Sequence, residues 1–409
     1  MEHVGIFGKT GSYKSSAIFT PALLSDNLEK SSLIISDCKG ELFELTSYYQ
    51  EHTCKRKVAV FDALHPERSI GINPLAICKD SSAIRKLAQV LLANGDKSFS
   101  DKNSGGAEWL QMASSLLITS LLYCKVKGGK ECNITNALDI VTSHSDEDLE
   151  RLFSHSTIEV LEQWNIFKTS LDAKGASSSI KITLASSLQL YLDYKICNVT
   201  SRDEFRPEML RKTPIALYII NSETKADYLT PLMATIFSQL VDSNLDYFDE
   251  HDNCLPIYNF LDEFGNLGYL PSFNHTITAS RSRKFSLILC IHDLRQMFKI
   301  YGNDLTYTMM NNLTTKVILG GISEPNTLEY ISQICGDTTI LISNQSKTGD
   351  KVTTTTSKQT KKLYTANEVR CLPDMTAIVI INNKQAVEGN LNIYFKNKIY
   401  SNRIKEQYL

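Results

Sequence analysis

Residues 8–15 read GKTGSYKS, one residue away from the phosphate-binding pattern GxxxxGK[ST]. Gly8, Lys14 and Ser15 stand where that pattern wants them, and Thr10, Gly11 and Ser12 form the turn between them. Tyr13 stands where the last glycine belongs. A loop of this kind holds a nucleotide with successive backbone N–H groups and the N-terminus of the following helix. Its lysine reaches the β- and γ-phosphates and its hydroxyl ligates Mg2+. The glycine before the lysine permits close approach to a phosphate, or a dihedral that side chains resist. A phenol there predicts the loss of one charge-assisted hydrogen bond, about 1.5–3 kcal/mol or one to two decades in affinity. Taken alone, a near match of this kind also arises by chance in a chain of 409 residues.

A second stretch supplies what the first lacks. In LPIYNFLDEFGNLG an apolar strand delivers Asp262 and Glu263 at its carboxyl end. Phosphoryl-transfer sites use one such acid to orient Mg2+ through its waters, and its neighbour to position and polarise the attacking water. Two solvated acids that merely end a strand read the same way in isolation. The pairing of the two stretches favours chemistry, because strand ends of this kind in a parallel sheet face one crevice.

The elements that must hold these residues follow from periodicity. HVGIFG, the loop and SSAIFTPALLSDN read as strand, turn and helix, with SSLIISD and VAVFDA as second and third strands. From about Asp80 to Arg211 the pattern is helical, in IRKLAQVLLA, EWLQMASSLLITSLLYC, ITNALDIV, DLERLF and IEVLEQWNIF, with no convincing strand. Strands return as PIALYII, LPIYNFLDE, FSLILCIHD, TKVILGG and TAIVIINN, with helices between them. The expectation is an α/β fold with a mostly parallel sheet. Residues 1–95 and 207–409 would form one nucleotide-binding domain, interrupted by an all-alpha domain over 96–206. The run ISNQSKTGDKVTTTTSKQTKK between Leu341 and Leu363 is poor in apolar residues and predicts a mobile exposed loop.

Composition narrows the function classes. With 42% apolar and 22% charged residues the chain is ordinary globular, and a formal net charge of -2 provides no general attraction for nucleic acid. Any DNA contact must then be local and salt-sensitive, with Arg283, Lys284, Lys347, Lys351, Lys358, Lys361 and Lys362 as candidates. Ten cysteines without a CxxC or zinc-type spacing read as reduced, mostly buried thiols. The apolar run MASSLLITSLLYC is too short to span a bilayer and predicts a core helix.

Several segments, in order, resemble type IV secretion coupling proteins, the conjugation ATPases of the TraG/TraD type related to the FtsK and HerA motors. They are SDCKGELFELTSYYQ, VAVFDALHPERSIGINPLA, PIALYIINSETKADYLTPLMATIFSQL, FLDEFGNLGYLPSF, ASRSRKFSLILCIHDLRQMFKIYG, LGGISEPNTLEYISQICGDTTI and ANEVRCLPD. The resemblance covers nearly the whole chain and is weakest in the helical region. It implies a RecA-like P-loop domain interrupted by an all-alpha domain, with ATP and Mg2+ as cofactors. The implied activity is ATP binding and hydrolysis that recruits or drives relaxase–DNA complexes or effector proteins to secretion-channel components. It further implies contact with single- or double-stranded DNA, a homo-hexamer, and anchorage at the cytoplasmic face of the bacterial inner membrane. The anchor expected ahead of the first strand is not in this sequence, and truncation to a soluble cytoplasmic portion explains that best.

By the same resemblance, Lys14 and Ser15 are phosphate and Mg2+ ligands, and Asp262 and Glu263 are the Walker B acids. Asp37, Lys39, Gly40 and Glu41 match the DxKGE signature, although Asp37 would also serve as a plain helix cap. Arg281 and Arg283 fall in the arginine-bearing segment, where an arginine from a neighbouring subunit stabilises developing phosphate charge. SRSRK reads equally well as a solvated helix face. Gln296, Tyr301 and Gly302 complete the match. His292 departs from it, standing where many members carry glutamine; a neutral imidazole also offers one donor and one acceptor, on a shorter arm. Tyr13 and His292 together admit a rival reading, a degenerate docking adaptor without turnover. A helicase or packaging motor outside secretion would share the loop and acids but not DxKGE and SRSRKFS.

Overall fold

The computed structural model describes residues 2–28, 30–95, 106–169, 176–250, 253–348 and 351–408. Its strands are β1 Val4–Phe7, β2 Ser32–Asp37, β3 Lys57–Asp62, β4 Ile215–Ile220, β5 Ile257–Leu261, β6 Phe285–Ile291, β7 Thr315–Leu319, β8 Asp337–Thr348, β9 Lys351–Lys362, β10 Thr376–Ile381 and β11 Val387–Asn390. The chain divides into two compact units, one of residues 22–287 with 402–409 and one of residues 2–21 with 288–401.

In the first unit β5, β2, β4 and β3 lie side by side in that order, every pairing parallel. Continuous apolar runs suit strands covered on both faces. Every residue of β2 is buried, and Leu33, Ile34 and Ile35 have no exposed surface. Among the described residues no strand lies between Asp62 and Ile215; that stretch is helical. Local signals set its helix starts. Asn133 caps Ile134–Ser143, and Ser145 caps Asp146–Ser154, whose first turn carries Asp146, Glu147 and Asp148 against the helix dipole.

The apolar run read as a core helix falls in Gly106–Lys127, where Leu116, Leu117, Leu121 and Leu122 are buried. Helix Ile158–Thr169 packs against it and contributes Trp164, whose ring centroid lies 5.1 Å from Phe153 and 5.3 Å from Phe167. The indole N–H donates to Glu150 Oε2 at 2.5 Å, so the largest buried ring is also polar-satisfied. Among the described residues no helix is long and apolar enough to cross a membrane.

In the second unit β1 pairs in parallel with both β6 and β7, while β10 joins β7 and β11 joins β10 antiparallel. Only residues 288–291 of β6 belong to this unit. The short strand β11 carried no sequence signal, since VEGN is exposed at all four positions.

The run expected to be a mobile loop is instead a β-hairpin. β8 and β9 pair antiparallel from Asp337↔Lys362 to Thr348↔Lys351, as a separate two-stranded ribbon. Low hydrophobicity pointed to a loop, but consecutive β-branched residues such as Thr353 to Thr356 favour the pleat. Nearly all of its described side chains are exposed, so the usual apolar alternation is missing. Of the lysines proposed for DNA contact, Lys361 pairs with Glu368 at 3.0 Å and Lys362 with Asp337 at 3.2 Å, and Lys358 is exposed. The side chains of Lys347 and Lys351 lie outside the described residues.

Trp164 anchors the helical region, which makes it a direct test of that packing. Trp164→Ala should lower stability by about 3–5 kcal/mol in chemical denaturation, from the cavity it leaves among Phe153 and Phe167. A loss below about 1 kcal/mol would show that this cluster is not a core.

Candidate nucleotide site

β1 ends at Phe7 and the loop opens beside the end of β6, where Gly8 N–H donates to the Ile291 carbonyl at 3.2 Å. Glycine is required there. A Cβ on Gly8 would stand 2.5 Å from Ser12 Oγ and 3.1 Å from Leu319 Cβ. Ser12 closes the turn by donating both its amide and its hydroxyl to the Lys9 carbonyl, at 3.2 and 2.7 Å. Gly11 has φ 80° and Tyr13 has φ 66°. The backbone at Tyr13 has therefore taken the left-handed conformation a glycine would supply, and its ring, 38% exposed, points away from the core. Ser15 begins the helical turn that follows, Ser15–Phe19, which continues as Thr20–Leu23.

Lys14 is only 6% exposed. Its ammonium donates to the carbonyls of Gly8 at 2.7 Å and Lys9 at 3.1 Å, and sits 3.4 Å from His292 Nδ1. An ammonium has donors only, so a neutral His292 faces it with an acceptor nitrogen and carries its own proton on Nε2. The loop thus folds around its own cation. That is an arrangement ready to take phosphate oxygens, and it fits a nucleotide on this side.

The second cluster lies in the other unit, at the carboxyl ends of β2, β4 and β5. Asp37 ends β2, and its carboxylate accepts from the amides of Lys39 at 3.3 Å, Gly40 at 2.8 Å and Phe43 at 2.8 Å. Asp37 thus ties down the entry to helix Glu41–His52, whose N-cap is Gly40 at φ 79°, through the first-turn amide of Phe43. Burial pushes the Asp37 carboxyl up to about 6, and the neighbouring Asp262 adds to the rise, against the pull of the three amides. Asp262 follows β5, and its carbonyl accepts from Cys38 Sγ at 3.5 Å. Burial raises the Cys38 thiol well above its usual range, with the negative charges of Asp262, Glu263, Asp37 and Glu223 each adding.

Glu263 adopts φ 58° and ψ 58°, and its Oε2 accepts from Asn266 Nδ2 at 2.7 Å. A glutamate held in left-handed backbone is costly and aims the side chain out of the strand direction. No group of three or more His, Cys, Asp or Glu side chains among the described residues is arranged to ligate a metal. The carboxylates fit a cation held at one remove, through its waters, as Mg2+ on phosphates requires.

Arg281 and Arg283 do not lie on a helix face. The helix before them, Phe273–Ala279, has ended, and they occupy a turn closed by Lys284 at φ 51° before β6 begins. His292 follows β6. The structure thus brings His292 to Lys14. Further along, Gly302 at φ 74° kinks Leu294–Asn312 beside the buried Tyr301.

The sequence profile described as Type IV secretory system Conjugative DNA transfer matches residues 1–408. The chain belongs to that family. Protein VirD4 of Rhizobium radiobacter is 25% identical over 99% of this chain, which spans 59% of the length of that relative. The conjugal transfer protein TraG of Escherichia coli is 22% identical, covering 98% of this chain and 68% of TraG. Among solved structures, unbound coupling protein TrwBdeltaN70 superposes with a TM-score of 0.75 at 19% identity, over 96% of this chain and 84% of that one. TrwB in complex with ADP and Mg2+ gives 0.72 at 17% identity, over 96% and 85%. At these identities the likeness establishes the fold, the RecA-like P-loop α/β architecture of the conjugative DNA transfer family.

Sequence reasoning missed the Lys14–His292 contact and the support of Glu263 by Asn266. The first joins residues 278 positions apart and left no local signal. The second could have been found, because an amide three residues beyond an acid is a common turn partner.

The raised Asp37 gives a pH test. Its folded-state pKa lies above the unfolded one, so the folded state binds the proton more tightly and ionisation lowers stability. That loss is absent below about pH 4, grows between about pH 4 and 6 and is complete by about pH 7, on the order of 2–3 kcal/mol. Asp37→Asn should flatten the stability–pH curve over this window relative to the parent, whatever its absolute stability. Parallel curves for the two proteins would mean that the carboxyl ionises in the fold without penalty.

Proposed function

We propose that this chain is the motor portion of a type IV secretion coupling protein, binding and hydrolysing ATP to deliver relaxase–DNA complexes or effector proteins to a secretion channel. The observation that carries the reading is the loop of residues 8–15, whose Lys14 ammonium is buried against the loop's own carbonyls in a strand–loop–helix setting. TrwB structures, solved with ADPNP and with ADP and Mg2+, support nucleotide as the ligand. In this reading the amides of Gly8 to Tyr13 and the Lys14 ammonium hold the phosphates, and Ser15 with Asp262 holds Mg2+. The ion would neutralise charge developing on the β- and γ-phosphate oxygens. Glu263 orients and polarises the attacking water, and His292 reports on the lysine's partner. Arg281 and Arg283 would serve a neighbouring copy in a homo-hexamer at the inner membrane.

Steady-state ATP hydrolysis with and without single-stranded DNA tests this. Lys14→Ala should abolish nucleotide binding, whereas Glu263→Gln should bind normally and lose about 100-fold or more in turnover. No turnover in the parent, with binding intact, would instead support a docking role.

Tyr13 can be tested separately. Because its backbone already has glycine-like geometry, the ring should cost stability more than affinity. Tyr13→Gly should raise stability by up to about 1 kcal/mol and change ATP affinity less than about threefold. A tightening of tenfold or more would show that the ring obstructs the phosphate.

A further inference from the structure

Among the described residues Phe395 is the only exposed phenylalanine, with 52% of its surface open. A tyrosine in that place would hydrate its hydroxyl, whereas a phenylalanine gains nothing from facing water. Its exposure is not that of a loose chain end. Ile393, 1% exposed, anchors the turn Tyr394–Lys396, and the Lys396 amide donates to the Ile393 carbonyl at 3.1 Å. The Tyr394 carbonyl accepts from the Asn397 amide at 3.2 Å and from the Ser401 hydroxyl at 3.1 Å. The Tyr394 ring stands at 86° to that of Phe395, with centroids 5.3 Å apart, and so braces it edge to face.

The place of this turn gives the ring a use. Tyr394–Lys396 packs on Ser15–Phe19, the helical turn that continues directly from the phosphate-binding loop. Both segments belong to the unit of residues 2–21 and 288–401. A nucleotide whose phosphates occupy the loop carries its sugar and base out along one flank of it, and this turn forms such a flank. The polar side chains beside the ring are already engaged. Asn397 Nδ2 donates to Asn392 Oδ1 at 3.1 Å, Asn397 Oδ1 accepts the Ile399 amide at 2.9 Å, and the Ser401 hydroxyl is held by Tyr394. What remains is an aromatic surface and the exposed Lys396, whose ammonium meets the Met375 thioether at 3.3 Å, a weak acceptor.

We infer that Phe395 is the platform on which the nucleobase stacks, and that the subsite takes either purine with little discrimination between them. The inference rests on the reading of residues 8–15 as a nucleotide site and assigns the part of the ligand which that reading leaves open. Every base has a π face, and stacking requires no matched hydrogen-bonding edge. Purines, with two fused rings, cover more of the phenyl group than pyrimidines do. Lys396 can donate to N7, an acceptor that adenine and guanine share, which favours purines without telling them apart.

The test is calorimetric titration of the full chain, with Mg2+, using the β,γ-imido analogues of ATP, GTP and UTP beside inorganic tripolyphosphate. The two purine analogues should bind within about threefold of each other, and the UTP analogue more weakly. Phe395→Ala should weaken the purine analogues about five- to a hundredfold, the scale of one base–aromatic stack, and leave tripolyphosphate within about twofold. Phe395→Trp should hold the purine analogues at least as tightly as the parent does. Because the ring is exposed, both variants should melt within about 2 °C of the parent. An equal loss of tripolyphosphate in Phe395→Ala would make the ring a mere support of the loop, overturning the inference while the phosphate site stands. Undiminished purine binding to Phe395→Ala, or a preference above about tenfold between the purine analogues, also overturns it. If none of these ligands binds the parent, the nucleotide reading itself fails and this inference falls with it.

Discussion

The Lys14 ammonium held against the carbonyls of Gly8 and Lys9 is the interaction on which the candidate site depends. A buried cation must be satisfied, and here backbone oxygens of the loop itself take part in satisfying it. Carbonyl dipoles are weaker partners and can be surrendered to a polyanion. The loop's shape follows from that contact: Gly8 has no room for a side chain, Gly11 and Tyr13 turn through left-handed backbone, and the chain then enters its helix at Lys14.

The acidic cluster is the electrostatic converse. Asp37, Asp262, Glu263 and Glu223 all act on the Cys38 thiol, and mutual repulsion is part of why Asp37 resists ionisation. Lys39 is paired with Glu223 at 3.5 Å, but both side chains are about half exposed, and such a pair contributes little. Excess negative charge at strand ends stores free energy that a bound cation would release. The fold keeps this arrangement in place by spending other interactions on it: three amides on Asp37 and the Asn266 side chain on Glu263.

Much of this was legible in the sequence, for reasons that also explain what was not. β2, β4 and β6 read clearly because strands buried on both faces are unbroken apolar runs. Gly8, Lys14, Asp262 and Glu263 read clearly because their chemistry depends on short-range spacing. The β8–β9 ribbon did not, since hydrophobicity scales see mostly Ser, Thr, Gln and Lys where the backbone sees β-branched residues. The conformation of Tyr13 was legible only as a conflict: the position called for glycine and the residue was not one. The contact between Lys14 and His292 depends on how β1 and β6 pair in register, Phe7 opposite Ile291, which no local window contains.

The turn that carries Arg281 and Arg283 shows how a remote residue can fix an exposed one. Arg211 is 1% exposed; its guanidinium donates to the carbonyls of Leu255 at 2.9 Å and of Lys284 and Asn244 at 3.3 Å. It stacks near Phe248 and Phe285, with its charge 5.2 and 5.8 Å from the ring centroids. Burial lowers its pKa to about 10, which leaves it charged at neutral pH. The Lys284 carbonyl also accepts the Ile257 amide at 2.9 Å, so the start of β5 and the buried guanidinium converge on the residue that closes the turn. A turn built only of Ser, Arg and Lys has no apolar side chain with which to anchor itself. Its shape is held instead through the backbone: the buried Ser280 accepts the amides of Arg283 and Phe285 at 3.1 and 3.0 Å, and the buried Arg211 holds the Lys284 carbonyl from beneath.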